Sequence, residues 1–213
     1  EDNKEEETPL ATDSLHISKS TDGIISVDYD FHFLKPGSVV ADSINAKINE
    51  QCISGRHDAD IRTDITTALA KEIDAMKAEV TEFHDPDDET FGELTYHVRR
   101  KGRFVADAAD TVIVYHYAID MYTGGAHGSY VLFTLNFSKR TGLAISISDV
   151  LDTAHEQAIL DIMLARLLKD NDCSTREELI EKTGILGLGD LYLTENFHLG
   201  KDSITFCFGQ YDI

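Results

Sequence analysis

The residues best suited to chemistry lie in one glycine-rich stretch from Tyr122 to Tyr130, which reads Tyr-Thr-Gly-Gly-Ala-His-Gly-Ser-Tyr. Its histidine, His127, could act as a general base at neutral pH together with a nearby carboxylate such as Asp120. This pairing defines one hypothesis, a hydrolase that acts on a glycan or an ester. The sequence contains no serine nucleophile elbow, no Cys–His signature and no zincin motif. We therefore favour a non-catalytic role and predict neither a metal site nor a cofactor.

The glycines of this stretch allow two interpretations. Glycine adopts positive φ without steric cost and lets the backbone approach another group closely. In the first interpretation, the stretch is a hairpin connection in which His127 hydrogen-bonds locally. In the second, it is the rim of a pocket in which His127 acts as a hydrogen-bond donor, an acceptor or a ligand.

Two apolar runs hold the glycine-rich stretch in place. Val112 to Tyr122 and Tyr130 to Phe137 both have the composition and alternation of β-strands. A third alternating run, Ile25 to Phe33, predicts a half-buried strand, and Leu15 to Ser20 is its expected partner. At the end of the chain, further strands are predicted over Leu191 to Leu199 and Ser203 to Tyr211.

Helices are predicted between these groups of strands. Ser38 is a suitable cap for a first helix, and apolar residues at steps of three or four from Ile61 to Phe83 predict a long second one. Two more helices are expected after Asp149. Strands and helices in separate blocks indicate an α+β fold, with a mainly antiparallel sheet and two helices packed in each half.

One basic cluster, Arg99-Arg100-Lys101-Gly102-Arg103, interrupts the strand-like run from Phe91 to Phe104. We predict that it forms the tip of a hairpin and is balanced by nearby acidic residues. An anion-binding site is the alternative.

The composition limits the classes of partner. The chain of 213 residues has a formal net charge of −20, with 19 basic and 39 acidic residues. A nucleic-acid backbone or an anionic membrane surface would be repelled, whereas a cationic partner would be attracted. No apolar run approaches the roughly 20 residues that a membrane-spanning helix needs.

We divide the chain into an acidic, disordered tether over residues 1–14 and two halves, 15–122 and 123–213, that form one compact unit. The tether holds six acidic residues and one lysine, a net charge of −5. Three cysteines, Cys52, Cys173 and Cys207, are compatible with one disulfide or with none. The oligomeric state stays open.

Several short runs resemble a known family. They are the Gly-Gly-Ala-His loop, Phe133-Thr-Leu-Asn-Phe137, Thr141-Gly142-Leu143, Ile147-Ser-Asp-Val-Leu151, Leu191-Tyr-Leu-Thr-Glu-Asn-Phe197 and Ile204-Thr-Phe-Cys-Phe-Gly-Gln-Tyr211-Asp-Ile213. Together they are similar to the RsiV-like and PdaC-like extracytoplasmic bacterial domains, long catalogued as domains of unknown function. The first half resembles the PdaC N-terminal type and the second half the RsiV C-terminal type.

The resemblance implies a place outside the cytoplasm, in the periplasm or at the cell surface, with a lipid anchor upstream of the chain. In that family some members are the sensing parts of anti-sigma factors and bind lysozyme, some precede a peptidoglycan deacetylase domain, and others are lone lipoproteins. We expect a module that binds a cationic protein such as lysozyme, or peptidoglycan or another glycan. A structural protein-interaction domain without a small ligand is the alternative. The candidate binding residues are Tyr122, Gly124, Gly125, His127, Gly128, Tyr130 and Tyr211.

Overall fold

The computed structural model of the chain describes residues 10–21, 23–53, 60–83 and 96–213, and it has the predicted α+β architecture. Its elements, in chain order, are β1 Thr12–Thr21, β2 Ile25–Leu34, α1 Val39–Ile48, α2 Ile61–Phe83, β3 Tyr96–Val105, β4 Val112–Tyr122, β5 Ser129–Ser138, α3 Glu156–Asp170, α4 Arg176–Thr183, β6 Phe197–Leu199 and β7 Ile204–Phe206. Over these ranges no helix combines the length and the apolarity needed to cross a bilayer.

The main sheet has five strands in the order β1-β2-β3-β4-β5. Neighbouring strands are antiparallel, except that β2 and β3 run parallel. Parallel neighbours need a long crossover connection, and the segment that contains α1 and α2 provides it. Because β5 belongs to this sheet, the sheet contains strands from both sides of the predicted division at residue 122.

The two faces of the sheet differ because side chains alternate along each strand. The inner face packs against α1 and α2 and forms the larger apolar core. The predicted helical stripe of α2 is confirmed, since Ile65, Leu69, Ile73 and Met76 are all buried there. Ser38 caps α1 as predicted, with its hydroxyl accepting a hydrogen bond from the Ala41 N–H at 3.1 Å.

A polar network crosses the inner face between α2 and the sheet. Arg100 binds Glu72 through two hydrogen bonds, one of them 2.9 Å from Nε to Oε2, and it also donates to the hydroxyl of Tyr117. The Tyr29 hydroxyl donates to Glu72 as well. Burial raises the pKa of Tyr117 to about 12, so this hydroxyl stays protonated at neutral pH.

The outer face of β4 and β5 is covered by the two-stranded sheet of β6 and β7. A second apolar core lies here, built from Val112 and Val114 of β4 with Phe197 and Leu199 of β6. The predicted final strand pair is correct in place but too long, because β6 and β7 have three residues each. The residues on either side of β6 and β7 form irregular backbone instead of sheet ladder.

Three sequence-based expectations need correction or restriction. The basic cluster is not a hairpin tip, because it lies inside β3 and pairs with both β2 and β4. Residues 1–9 of the predicted tether lie outside the described residues, whereas Thr12 to Ser14 form the start of β1 and are not a tether. All three cysteines are described, and they are free thiols.

Candidate functional site

The glycine-rich connection between β4 and β5 is an irregular loop with one internal tie. The Tyr122 hydroxyl donates to the carbonyl of Gly125 at 2.9 Å, which closes the first half of the loop. Gly124 and Gly125 have φ of 104° and 91°, a conformation that residues with a Cβ rarely adopt. A Cβ on Gly128 would lie 2.8 Å from the carbonyl oxygen of Met121, so the loop closes too tightly there for a larger residue.

His127 lies exposed on this loop and joins it to the end of the chain. A carbonyl can only accept, so Nδ1 carries the proton and donates to the Gly128 carbonyl at 3.0 Å. The Nε2 atom lies 3.4 Å from the hydroxyl of Tyr211, which can donate to it. The two rings are 6.1 Å apart and tilted by 50°. The imidazole therefore has a local bond, as in the hairpin interpretation, and also connects two segments that are distant in sequence.

Asp120 does not pair with His127 in the described structure. Its carboxylate accepts a hydrogen bond from Arg99 at 3.1 Å and lies 3.5 Å from Nε2 of His97. The base-and-carboxylate pair that motivated the hydrolase hypothesis is therefore not assembled. No group of three or more His, Cys, Asp or Glu side chains within the described ranges could hold a metal ion.

The glycine loop separates two depressions. On the inner side, a cavity of about 220 Å³ lies between the loop and the end of α2, and its lining includes Gly124, Gly125 and Tyr96. On the outer side, a wider groove of about 680 Å³ lies between the start of β5 and the chain after β7. We call this second depression the outer groove; it is lined by Asp120, Gly128, Ser129, Tyr130, Leu132, Cys207, Phe208, Gly209 and Gln210.

The seven candidate residues thus divide between the two depressions. Gly124 and Gly125 line the inner cavity, and Gly128 and Tyr130 line the outer groove. Tyr122 stacks on Tyr96 with ring centres 6.3 Å apart. His127 and Tyr211 meet at the contact already described, next to the outer groove.

The sequence did not point to the residues that form the far wall of the outer groove, Cys207 to Gln210. Nothing in their spacing shows that they return to the start of β5. Leu132 could have been found, because it follows Tyr130 by two residues and therefore shares its face of the strand. Asp120 lies opposite Tyr130 in the strand register and completes that face.

Two asparagines place the far wall of the groove. The side-chain amide of Asn196 accepts from the Thr134 N–H at 2.8 Å and donates to the Leu132 carbonyl at 2.7 Å. Asn136 donates to the Phe197 carbonyl at 2.6 Å and accepts from the Leu199 N–H at 3.0 Å. These amides join β5 to the segment that contains β6, and the Cys207 N–H continues the attachment by donating to the Asn196 carbonyl at 2.8 Å.

Comparison with known proteins gives similar solved structures. No protein-family model matches the chain, and no curated protein matches it either. A crystal structure of a DUF3298 family member from Bacteroides fragilis is similar, with a TM-score of 0.77 and 25% sequence identity over 97% of this chain and 86% of that one.

These structural neighbours are DUF3298 family proteins. A second one, from Pseudomonas aeruginosa PAO1, has a TM-score of 0.60 and 15% identity, and it covers 93% of this chain and 82% of that one. At this identity the likeness concerns the fold alone. The neighbours support a bacterial domain family of unknown function, and the finer RsiV-like and PdaC-like assignment stays an interpretation of the sequence.

Proposed function

We propose that the chain is a non-catalytic binding or sensing module of the bacterial cell envelope. In this proposal it lies outside the cytoplasm and is held there by a lipid anchor upstream of the chain. Its ligand is a cationic protein such as lysozyme, or else peptidoglycan or a similar glycan. The compartment and the ligand class come from the resemblance to the RsiV-like and PdaC-like domains.

The observation that carries the proposal is the outer groove. It is open, it runs along the edge strand β5, and it combines aromatic, small and polar residues with one carboxylate, Asp120. Tyr130 is 55% exposed and Tyr211 is 63% exposed, so both rings are available to a partner. Tyrosine is enriched among the residues that dominate binding energy at protein interfaces, because it buries a large area and keeps a polar tip.

The charge of the chain supports a cationic partner over an anionic one. A net charge of −20 produces a long-range attraction that raises the rate of association with a basic protein. The same field would oppose binding of an anionic polymer. Salt should therefore weaken binding of a basic protein chiefly by slowing association.

One observation favours the alternative of a protein-interaction domain without a small ligand. No side chain of α3 is buried, and Ile162 of that helix is 70% exposed. A helix with a half-covered apolar face is suited to contact with another protein. In this alternative the partner would cover α3 and leave the outer groove free.

Isothermal titration calorimetry at low salt tests the proposal. Lysozyme and soluble peptidoglycan fragments are titrated separately into the chain, and we expect saturable heat with at least one of them. Tyr130→Ala should weaken that binding about tenfold, since truncation of a central interface tyrosine removes on the order of 1–2 kcal/mol. Leu143→Ala is a matched control, because Leu143 is 64% exposed but does not line the groove. The absence of heat with both ligands would contradict the proposal.

A further inference from the structure

The edge of β5 is hydrogen-bonded at several points between Leu132 and Ser138. The residues of an antiparallel strand alternate between those that bond to the neighbouring strand and those whose N–H and C=O point away from it. In β5 the N–H and C=O groups of the even-numbered residues point away from β4. At the far end of the strand, Ser138 N–H donates to the Leu143 carbonyl and the Asn136 carbonyl accepts from Ile145 N–H. In the middle, the Asn196 side-chain amide donates to Leu132 C=O and accepts from Thr134 N–H.

The beginning of the same edge is open. Tyr130 N–H, Tyr130 C=O and Leu132 N–H also point away from β4, and none of the described residues bonds to them. Tyr130 and Leu132 both line the outer groove, whose other side is formed by the segment Cys207 to Gln210. Unpaired backbone groups along an edge strand are a template for pairing with another chain.

The Asn196 amide shows how a peptide would continue the ladder. Its Oδ1 and Nδ2 contact Thr134 N–H and Leu132 C=O as the carbonyl and N–H of a residue opposite Phe133 in a parallel strand would. One repeat earlier, about 7 Å along the strand, a peptide residue opposite Val131 would donate to Tyr130 C=O and accept from Leu132 N–H. Tyr130 N–H would then provide a third hydrogen bond.

The charge of the chain indicates the charge of such a peptide. Asp120 is the one charged side chain among the described residues that line the groove, and it already pairs with Arg99, so the preference comes from the molecule as a whole. The chain as a whole is strongly acidic. A basic segment is therefore favoured over an acidic one.

We propose that the edge of β5 at Tyr130 to Leu132 binds an extended, basic segment of a partner protein by strand addition. The segment lies in the outer groove between β5 and Cys207 to Gln210. Main-chain hydrogen bonds supply affinity in this mode of recognition, and the side chains on alternate positions supply selectivity. The inference rests on the proposed function, because it states how a cationic protein partner is held.

A proline substitution tests the backbone bond directly. Leu132→Pro removes the outward N–H and leaves the hydrogen bonds between β4 and β5 in place, since proline is tolerated on an edge strand whose N–H faces solvent. Leu132→Ala is the matched control, because it loses the same side chain and keeps the N–H. The probe is an octapeptide of alternating lysine and valine. Two control peptides are a copy methylated at alternate backbone nitrogens and a copy with glutamate in place of lysine.

We expect the lysine–valine peptide to bind the unaltered chain, and to bind Leu132→Pro about tenfold more weakly than Leu132→Ala, which lacks the same side chain but keeps the N–H. The backbone-methylated peptide should lose binding similarly, and the glutamate peptide should bind more weakly still. In nuclear magnetic resonance spectra of the unaltered chain, the amide protons of Tyr130 and Leu132 should shift and exchange more slowly when the peptide is bound. This last measurement tests the strand-addition proposal even if Leu132→Pro does not fold.

Several results would overturn the inference. They are equal affinity of Leu132→Pro and Leu132→Ala, equal affinity of the lysine and glutamate peptides, unchanged amide protons in the complex, and an edge-to-edge dimer of the free chain in sedimentation. If lysozyme binds the unaltered chain and Leu132→Pro equally, the β5 edge is not the binding site, but the proposed function is not contradicted. If lysozyme and peptidoglycan give no heat while the peptide binds as expected, the edge is supported and the proposed ligand class is rejected.

Discussion

At the scale of residues, the long basic side chains of β3 find partners on three different elements. Successive side chains of a strand point to opposite faces, so Arg100 lies on the inner face and is separated from Arg99, Lys101 and Arg103. The pairs are Arg99–Asp120, Arg100–Glu72 and Arg103–Asp30. The prediction that nearby acidic residues balance the cluster is therefore confirmed for these three arginines.

The pair of Arg100 and Glu72 is the most buried of these, and it gives the first prediction. The two side chains are 24% and 17% exposed, so neither charge can be solvated well if the other is removed. We expect Arg100→Met to lower the free energy of unfolding by about 3 kcal/mol. The double variant Arg100→Met with Glu72→Leu should recover most of this loss. Urea denaturation measures both, and a single variant as stable as the unaltered chain would contradict the prediction.

His116 and His198 give the second prediction, which concerns pH. His198 Nε2 donates to the Asp107 carbonyl, and its Nδ1 accepts from Nε2 of His116 at 3.0 Å. Burial lowers the pKa of His116, and the neighbouring His198 lowers it further. Below about pH 6.5, the ordinary pKa of histidine, the unfolded state therefore binds more protons at this position than the folded state does. The contribution of His116 to stability is thus present above that pH and is lost as the pH falls.

Denaturation of the unaltered chain and of His116→Gln between pH 5 and 7 tests this sign. His16, whose pKa is raised by its hydrogen bond to Asp28, acts in the opposite direction and is the same in both proteins. We expect the difference in stability between the two proteins to favour the unaltered chain more strongly at pH 7 than at pH 5. A constant difference across this range would show that His116 titrates normally in the folded protein.

At the scale of elements, the small sheet of β6 and β7 is held to β5 by side-chain amides that replace backbone pairing. Asn136 is only 2% exposed, and both of its polar atoms bond to the backbone of β6. The arrangement fixes where the chain leaves β7 and therefore where the far wall of the outer groove lies. The geometry of the groove depends on these two asparagines as much as on the glycine loop.

The third prediction follows from this attachment. Asn136→Ala leaves the Phe197 carbonyl and the Leu199 N–H without partners in a buried place, which should cost about 2–4 kcal/mol of stability. Asn171→Ala is a milder control, because Asn171 bonds one carbonyl at the end of α3 in a half-exposed position and should cost about 1 kcal/mol. Hydrogen exchange at Leu199 should become faster in the first variant and stay unchanged in the second. Equal losses of stability would contradict the structural role of Asn136.

The same elements show how far sequence patterns reach. Val112–Tyr122 was predicted to the residue, and α2, whose sequence pattern indicates a start at about Asp60, begins at Ile61, because periodicity is a local property. The position of the basic cluster inside β3 was missed, since Gly102 reads as a turn signal. Gly102 in fact lies within the strand, where glycine is required. A Cβ at this position would fall 1.9 Å from the Tyr115 hydroxyl and 2.7 Å from the Phe31 ring. That reason is a tertiary contact, which no local pattern contains.

At the scale of the whole molecule, the sheet separates a helix-covered face from a face that carries the outer groove. The α+β class was predictable from the order of the blocks, but the parallel pairing of β2 with β3 was not, because it depends on the path of the crossover. The glycine loop could be singled out from the sequence, because its glycines are neighbours along the chain. The groove beside it also requires the chain after β7, which returns from about eighty residues later in the sequence.

The central claim is that the outer groove is the surface that meets the partner. Hydrogen–deuterium exchange of the chain with and without lysozyme, read by mass spectrometry at low salt, tests it most directly. We predict slower exchange over residues 128–132 and 207–211 in the complex and unchanged exchange over α3. Slower exchange confined to α3, or no change anywhere along the chain at saturating lysozyme, would contradict the claim.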